Sequence, residues 1–388
     1  MPWKVKEMAD IRREFVEMAM KDEANVAELC RGFGVSRKTG YKWLERYRSE
    51  GVEGLVDQSR RPKISPFQTS AKVEELVVSL RETHPKWGGR KLRRRLQDTG
   101  VEGVPAASTI TEILRRREKL SKPERAGNFV RFERSEPNEL WQMDFKGHFE
   151  LGSGRRCHPL TVLDDHSRYS LVLQACSNEQ HATVQERLRT AFRQYGLPQG
   201  MLMDNGSPWG SGTRESPWTG LTVWLLRLGI RVSHGRPYHP QTQGKEERFH
   251  RTLKAEVLQG QVIKDFVECQ LRFDTWRVTY NHERPHEALE LAVPGTRYSR
   301  SSRVYPEALP EVEYSAIDQV RKVQKGGWIT FQGQDWHVSK AFDGERLGIR
   351  PTTTEGEWDV WFGLQCLGML DQRADAECRR VVRRPRKA

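Results

Sequence analysis

The chain has 388 residues, with 65 Lys and Arg against 52 Asp and Glu, a formal net charge of +13 and a pI near 9.5. That length exceeds one ordinary core, so two to four domains are expected, and the positive excess points to a polyanionic partner. There is no apolar run long enough for a membrane span and no signal-like segment at Met1-Pro-Trp-Lys4, so no membrane partner and a cytoplasmic, nucleoid-associated location are expected. Six scattered cysteines (Cys30, Cys157, Cys176, Cys269, Cys366, Cys378) form no C-x-x-C pair, which argues against a zinc knuckle or disulfide framework and for reduced thiols.

From residue 5 to 20, Val5, Met8, Ile11, Phe15 and Met18 recur at steps of three and four and predict an amphipathic helix. A short helix follows from Val26 to Phe33, Gly34 supplies a tight turn, and Ser36 caps a third helix ending near Tyr47. Helix, Gly turn, capped helix is the helix-turn-helix layout, placed at residues 1–50, with Arg37, Lys38 and Lys42 on its exposed side as phosphate or base contacts. An ordinary helical hairpin with a solvated basic face is the alternative. Gly40 sits inside the third helix and should weaken it by about 1 kcal/mol relative to Ala.

Residues 51–69 read as a Gly- and Pro-containing linker whose Arg60, Arg61 and Lys63 could follow a DNA backbone. A second trihelical, helix-turn-helix unit is expected at 70–120, marked by Val73, Leu76, Val77 and Leu80, then by the Arg90–Arg95 basic run, then by Ile110, Ile113 and Leu114. It ends in Arg115-Arg116-Arg117, which read as phosphate contacts rather than base readers. Two linked modules could cover a longer site than either alone.

Residues 121–136 form a second linker, and the pattern then becomes α/β over 137–300. Strands are predicted at 139–149, 158–163 and 169–173, a helix at 179–195, a strand at 199–203, a helix at 221–228, a strand at 230–233 and a helix from near Thr242. That order is a ribonuclease-H-like fold. Asp144 and Asp204 would lie on neighbouring strands, and Glu247 would arrive from the last helix. They are separated by 59 and 42 intervening residues. Carboxylates gathered this way can hold two Mg²⁺ ions, with Mn²⁺ as a substitute, and stabilise the attacking and leaving oxygens of an in-line phosphoryl displacement.

The motifs Trp141-Gln-Met-Asp144-Phe, Asp164-Asp-His-Ser-Arg168, Asp204-Asn-Gly206, Pro237-Tyr-His-Pro-Gln-Thr-Gln-Gly-Lys245, Glu247-Arg-Phe-His-Arg-Thr-Leu253 and Tyr280-Asn-His-Glu-Arg-Pro-His286 resemble the DDE transposases of bacterial insertion sequences, whose core is similar to that of retroviral integrases. The resemblance spans roughly residues 10 to 300 and is most specific from Pro237 to Leu253. It implies two-metal cleavage at the ends of a mobile element and strand transfer into double-stranded target DNA, and because such an element has two ends and the chain one acidic triad, a homo-oligomer on DNA is expected. Asp144, Asp204 and Glu247 match the catalytic, metal-binding triad. Glu246 departs from the family, which usually has an apolar residue there. Helical spacing aligns Glu246 with Phe249 and Leu253 on the apolar stripe, and Glu247 with the DNA-facing cations Arg251 and Lys254. Two other readings stand beside this one: a catalytically inactive DNA-binding regulator derived from a transposase, and a ribonuclease or Holliday-type nuclease on the same fold.

His282 and His286 have helical zinc-ligand spacing, but Pro285 lies between them and structural roles are expected. Asp164 and Asp165 are expected to shape a hairpin turn. The stretch from Ser207 to Gly220 reads as too polar for core and as a loop near the site that orders on DNA. Residues 301–374 turn strand-like, and five short strands with Gly turns predict a small closed β-barrel packed by Trp328, Trp336, Trp358 and Trp361. A basic tail at 375–388 could hold DNA electrostatically.

Overall fold

The computed structural model describes residues 8–57, 68–119, 133–210, 217–235, 244–373 and 382. Two compact units make up the chain, Met1–Gln68 and Thr69–Ala388. The proposed contacts Arg60 and Arg61, residues 237–243 of the long motif, and the basic tail apart from Val382 lie outside the described residues.

In the first unit, α1 (Met8–Ala19), α2 (Val26–Gly32) and α3 (Arg37–Glu50) close on Phe15, Val16, Cys30, Trp43, Leu44 and Leu55. The turn before α3 uses Gly34 at φ +66°, and Ser36 Oγ caps the helix by accepting from Thr39 N–H at 3.1 Å. Gly40 is more than a weak point of α3: a Cβ there would lie 2.5 Å from Cys30 Sγ and 2.9 Å from Phe15 Cζ. Its missing side chain lets α3 press against α1 and α2, so packing outweighs helix propensity.

The second unit opens with α4 (Ala71–Thr83), α5 (Gly89–Asp98) and α6 (Ala107–Arg116), built on Val77, Trp87, Leu92, Leu96, Ile110, Ile113 and Leu114. A sheet follows, with β1 (Trp141–Phe145), β2 (Phe149–Glu150), β3 (Arg156–Asp164), β4 (Ser170–Cys176), β5 (Gly200–Met203) and β6 (Arg231–His234). The strand order is β2-β3-β1-β5-β6, and β4 also pairs with β3. The β1–β3 and β3–β4 ladders are antiparallel, whereas β1–β5 and β5–β6 are parallel.

Strand alternation explains the layers. Trp141 and Met143 of β1 point into an apolar cluster with α7 (His181–Tyr195) and α8 (Gly220–Arg227). On the opposite face, α9 (Gly244–Leu253) and α10 (Phe266–His282) bury Phe249, Leu253, Phe273, Trp276 and Tyr280 against Leu163 and Leu173. Gln142 and Asp144, one step out of phase with Trp141 and Met143, are left facing the α9 side. The arrangement of helices on both sides of a mixed sheet is the expected ribonuclease-H-like layout.

The carboxyl-terminal region differs from the predicted barrel. Among the described residues it has six strands: β7 (Gln319–Lys322), β8 (Trp328–Phe331), β9 (Gln334–His337), β10 (Arg346–Pro351), β11 (Glu357–Phe362) and β12 (Gln365–Asp371). Four of them form an open antiparallel sheet, β12-β11-β10-β7, and β8-β9 is a separate hairpin. Among the described residues no ladder joins β12 to β7, so the sheet is not closed. Its apolar face is covered by packing: Leu347, Ile349, Val360, Phe362 and Leu370 share one buried cluster with Trp224 and Ile230, and beside it Arg227 pairs with Glu345 at 3.5 Å and Val232 N–H donates to Gln365 Oε1 at 3.3 Å. A sheet buried against the core gains the burial that closure would otherwise supply. Trp336 is buried and Trp358 packs on Phe331, but Trp328 lies at the edge, half-exposed beside His337. The unforeseen strand β7 carries one apolar residue, Val320, and so gave no period-two signal.

Candidate active site

Asp144 lies on β1, and Asp204 follows β5 immediately. Their parallel register runs Trp141 to Met201 and Gln142 to Leu202, so the two acids emerge side by side at the carboxyl ends of adjacent strands. Glu247 is in the first turn of α9 on its exposed side, and Glu246 beside it is completely buried with Phe249 and Leu253. The expected separation of the two glutamates onto different helix faces is therefore present. Burial first, then the like charges of Asp204, Glu179 and Glu247, push the Asp144 carboxyl up to about 7. A carboxyl whose ionisation is opposed by burial and by neighbouring acids suits a hard divalent cation, which takes carboxylate oxygens and relieves the repulsion. Among the described residues no three His, Cys, Asp or Glu side chains converge tightly enough to enclose an ion.

Asp204 is oriented by its own loop. Its Oδ1 accepts from Gly206 N–H at 2.9 Å and from the indole N–H of Trp209. Trp209 is buried and stacks on Phe145 at 5.4 Å with the rings 13° from parallel. The expectation that the stretch from Ser207 is too polar for core is thus overturned at Pro208, Trp209 and Gly210, all buried. Residues 211–216 lie outside the described residues. A tryptophan five positions after Asp204, in an otherwise Gly- and Pro-rich run, was the missed signal.

Thr161 stands across the ladder from Asp144. Its Oγ1 lies 2.9 Å from Asp144 O, 3.0 Å from Glu246 Oε2 and 2.8 Å from His250 Nε2. A hydroxyl has one proton, so His250 fits as a donor through Nε2–H. Burial and then the Lys146 charge push the His250 imidazole down to about 4, so it is neutral at pH 7. Burial and the Asp144 charge raise the Glu246 carboxyl well above its ordinary range and favour its protonated form. Glu246, the departure noted in the sequence, is accommodated as a neutral hydrogen-bonding group under the site.

Around the acids, Arg251 and Lys254 are exposed, and Lys146 just past β1 is pushed below the usual lysine range by burial and then by Lys254. Lys146 escaped the sequence reading because it lies outside the helix whose spacing singled out Arg251 and Lys254. In the first unit, Arg37, Lys38 and Lys42 are exposed on α3, and Lys42 lies 5.1 Å over the Trp43 ring. Arg115 and Arg116 turn out differently. Arg115 stays exposed and pairs with Glu112 three positions before it on α6, whereas Arg116 Nη2 reaches Glu74 Oε1 on α4 at 3.1 Å and ties two helices of the module together. On α5, Arg95 pairs with Glu283 at 3.0 Å, and burial followed by the Arg284 charge pushes Lys91 down to about 8. That part of the basic run faces the core. His286 is buried edge-on against Tyr280, and His282 packs beside Tyr169, as structural histidines do.

Comparison with known proteins gives matches along the chain. Residues 134–240 and 228–294 match integrase core domains, and 318–377 match the carboxyl-terminal domain of the IS481 family of transposases. Residues 11–63 match a helix-turn-helix domain, and 39–114 a homeodomain-like domain. The transposase for transposon Tn552 of Staphylococcus aureus is 21% identical over 371 residues, covering 84% of this chain and 75% of that protein. An uncharacterized 31.7 kDa protein of insertion element IS407 from Burkholderia multivorans is 23% identical over 284 residues, 71% of this chain and 92% of that one. Among solved structures, the catalytic core domain of HTLV-2 integrase in complex with magnesium is 12% identical, covers 42% of this chain and 99% of its own, and has a TM-score of 0.31.

Proposed function

Because the chain is an insertion-sequence transposase with an integrase core, we propose that it binds the ends of its element and carries out metal-dependent cleavage and strand transfer of the DDE type, through Asp144, Asp204 and Glu247. The observation that carries this reading is the parallel β1–β5 register, which sets Asp144 beside Asp204 with Glu247 near enough to raise the Asp144 carboxyl. Two Mg²⁺ ions, or Mn²⁺ in their place, would be held by these three side chains and would supply charge stabilisation for both the attacking and the leaving oxygen.

In cleavage, a water oxygen forms a bond to phosphorus as the bond to the 3′-oxygen breaks, and the freed 3′-hydroxyl takes the proton. In joining, that 3′-oxygen attacks a target phosphodiester and displaces the target's own 3′-oxygen, so no outside energy source is needed. Lys146, Arg251 and Lys254 would hold the phosphate backbone at the rim. Arg37, Lys38 and Lys42 on α3 would contact end DNA. One acidic triad per chain and two ends per element require at least two protomers on DNA.

The test uses the full chain with end-containing duplexes and Mg²⁺. Asp144→Asn, Asp204→Asn and Glu247→Gln should each abolish cleavage and joining while leaving end binding nearly intact. Undiminished turnover in any of the three would remove that residue from the triad. Mixing Glu247→Gln protein with a binding-defective but triad-intact variant tests action between protomers, and restored cleavage supports it.

A further inference from the structure

We propose that Asp165 is a positioning residue, a clamp that sets the spacing between the strand carrying Asp144 and the helix carrying Glu247. This rests on the assignment of those two carboxylates as metal ligands. The neighbouring aspartates of the Asp164-Asp165 pair have different jobs. Asp164 folds back on the hairpin turn as expected, accepting from Ser167 N–H at 2.8 Å, Ser167 Oγ–H at 2.6 Å and Asn138 N–H at 2.7 Å. Asp165 turns away from the hairpin, which corrects the expectation that both residues shape it.

The Asp165 side chain is fully buried. Its Oδ1 accepts from Gln142 Nε2 at 2.6 Å and from the Lys245 ammonium, and its Oδ2 accepts from Arg134 N–H at 2.8 Å. Lys245 Nζ also donates to the Asp165 carbonyl at 3.2 Å, and Asp165 N–H donates to Leu140 O at 2.9 Å. Gln142 is two residues before Asp144 on the same face of β1, and Lys245 is two residues before Glu247 in the first turn of α9. One carboxylate therefore grips an anchor on each of the two elements that present the metal carboxylates. A buried ion pair contributes little net stability, because desolvation offsets attraction, but it is demanding in geometry. Metal sites depend on such supporting contacts, since a misplacement of about 1 Å loses most of the catalytic advantage.

The experiment compares the full-length protein with Asp165→Asn, Lys245→Met and the double variant. It follows Mn²⁺ binding by the paramagnetic resonance of the free ion, hydrogen exchange of residues 244–253 without metal, and the melting temperature. Asp165→Asn keeps the shape and loses the charge. It should weaken Mn²⁺ binding about tenfold, the usual scale for contacts that orient ligands, and speed exchange across α9. End binding should hold, while the melting temperature should fall, because the change takes the opposing charge away from the largely buried Lys245 ammonium. Lys245→Met should match it, and the double variant should be no worse than either single change. Asp165→Asn with unchanged Mn²⁺ affinity and unchanged exchange would overturn the clamp, and so would losses that simply add in the double variant. If Asp165→Asn fails to fold, Lys245→Met carries the same comparison, because Asp165 keeps Gln142 and Arg134. A Glu247→Gln control separates the two ideas. Weakened Mn²⁺ binding there with none in Asp165→Asn rejects the clamp alone, whereas unchanged binding in Glu247→Gln overturns both.

Discussion

The indole N–H of Trp209 donates to Asp204 Oδ1, the oxygen that also accepts from Gly206 N–H at 2.9 Å. One oxygen of this carboxylate is thereby committed to its own loop. The ring that makes this bond is itself fixed by stacking on Phe145, the residue after Asp144. The loop after β5 thus couples the two aspartates through one aromatic pair.

Trp209→Phe keeps the stack and deletes the donor. A hydrogen bond to a charged group contributes about 1.5–3 kcal/mol, so cleavage at saturating Mg²⁺ should slow by roughly ten- to a hundredfold, with end binding unchanged. Single-turnover cleavage of labelled end DNA measures this. A rate within twofold of the parent would show that Trp209 only fills space.

Metal binding should strengthen as pH rises through about 7, where the Asp144 carboxyl ionises. Stability of the metal-free protein should move the other way. The folded state holds this proton more tightly than the unfolded chain, whose carboxyl titrates near 3.8. The resulting stabilisation is full below the unfolded value and is lost as pH rises through about 7. His250, pushed down to about 4, has the opposite sign but only below its ordinary 6.5. Melting temperatures should therefore fall more steeply from pH 6.5 to 8 in the parent than in Asp144→Asn, where the buried Glu246, raised in the same direction, still contributes. A parallel fall in both proteins would assign the effect elsewhere.

Gly40→Ala tests whether packing governs α3. Helix propensity alone predicts a gain of about 1 kcal/mol, but the added Cβ meets Cys30 Sγ at 2.5 Å, and overpacking costs about 1–3 kcal/mol. Faster hydrogen exchange in α1 to α3 of the full-length variant is expected, together with weaker end binding. Slower exchange would show that the neighbours yield freely.

Arg37 and Arg116 should behave as different kinds of arginine. Arg37→Ala should lower DNA affinity and reduce the salt dependence of binding by about one charge. Arg116→Ala should lower the melting temperature, because the nearly buried Glu74 loses its partner at 3.1 Å, and should leave the salt slope in place. Binding titrations at several salt concentrations distinguish them, and a reduced slope for Arg116→Ala would return it to the DNA interface.

The sequence by itself determined the order of elements up to the end of the core and where three acids stand on them. Period-two and period-3.6 patterns are set by which residues must be buried, and Asp144, Asp204 and Glu247 each stand at the end of such a pattern or on its polar face. Spacing also separated Glu247 from the buried Glu246, because adjacent residues on a helix point 100° apart. Tertiary structure decided what depends on partners distant in the chain. Trp209 became core because Phe145 was there to stack on. Asp165 left the turn for Gln142 and Lys245, one 23 positions before it and the other 80 after. Arg116 was drawn to Glu74, 42 positions before it. The carboxyl-terminal strands stayed an open sheet because the core covered their apolar face. Local pattern records whether a side chain must avoid water, but not which neighbour excludes the water or which charge it meets once buried.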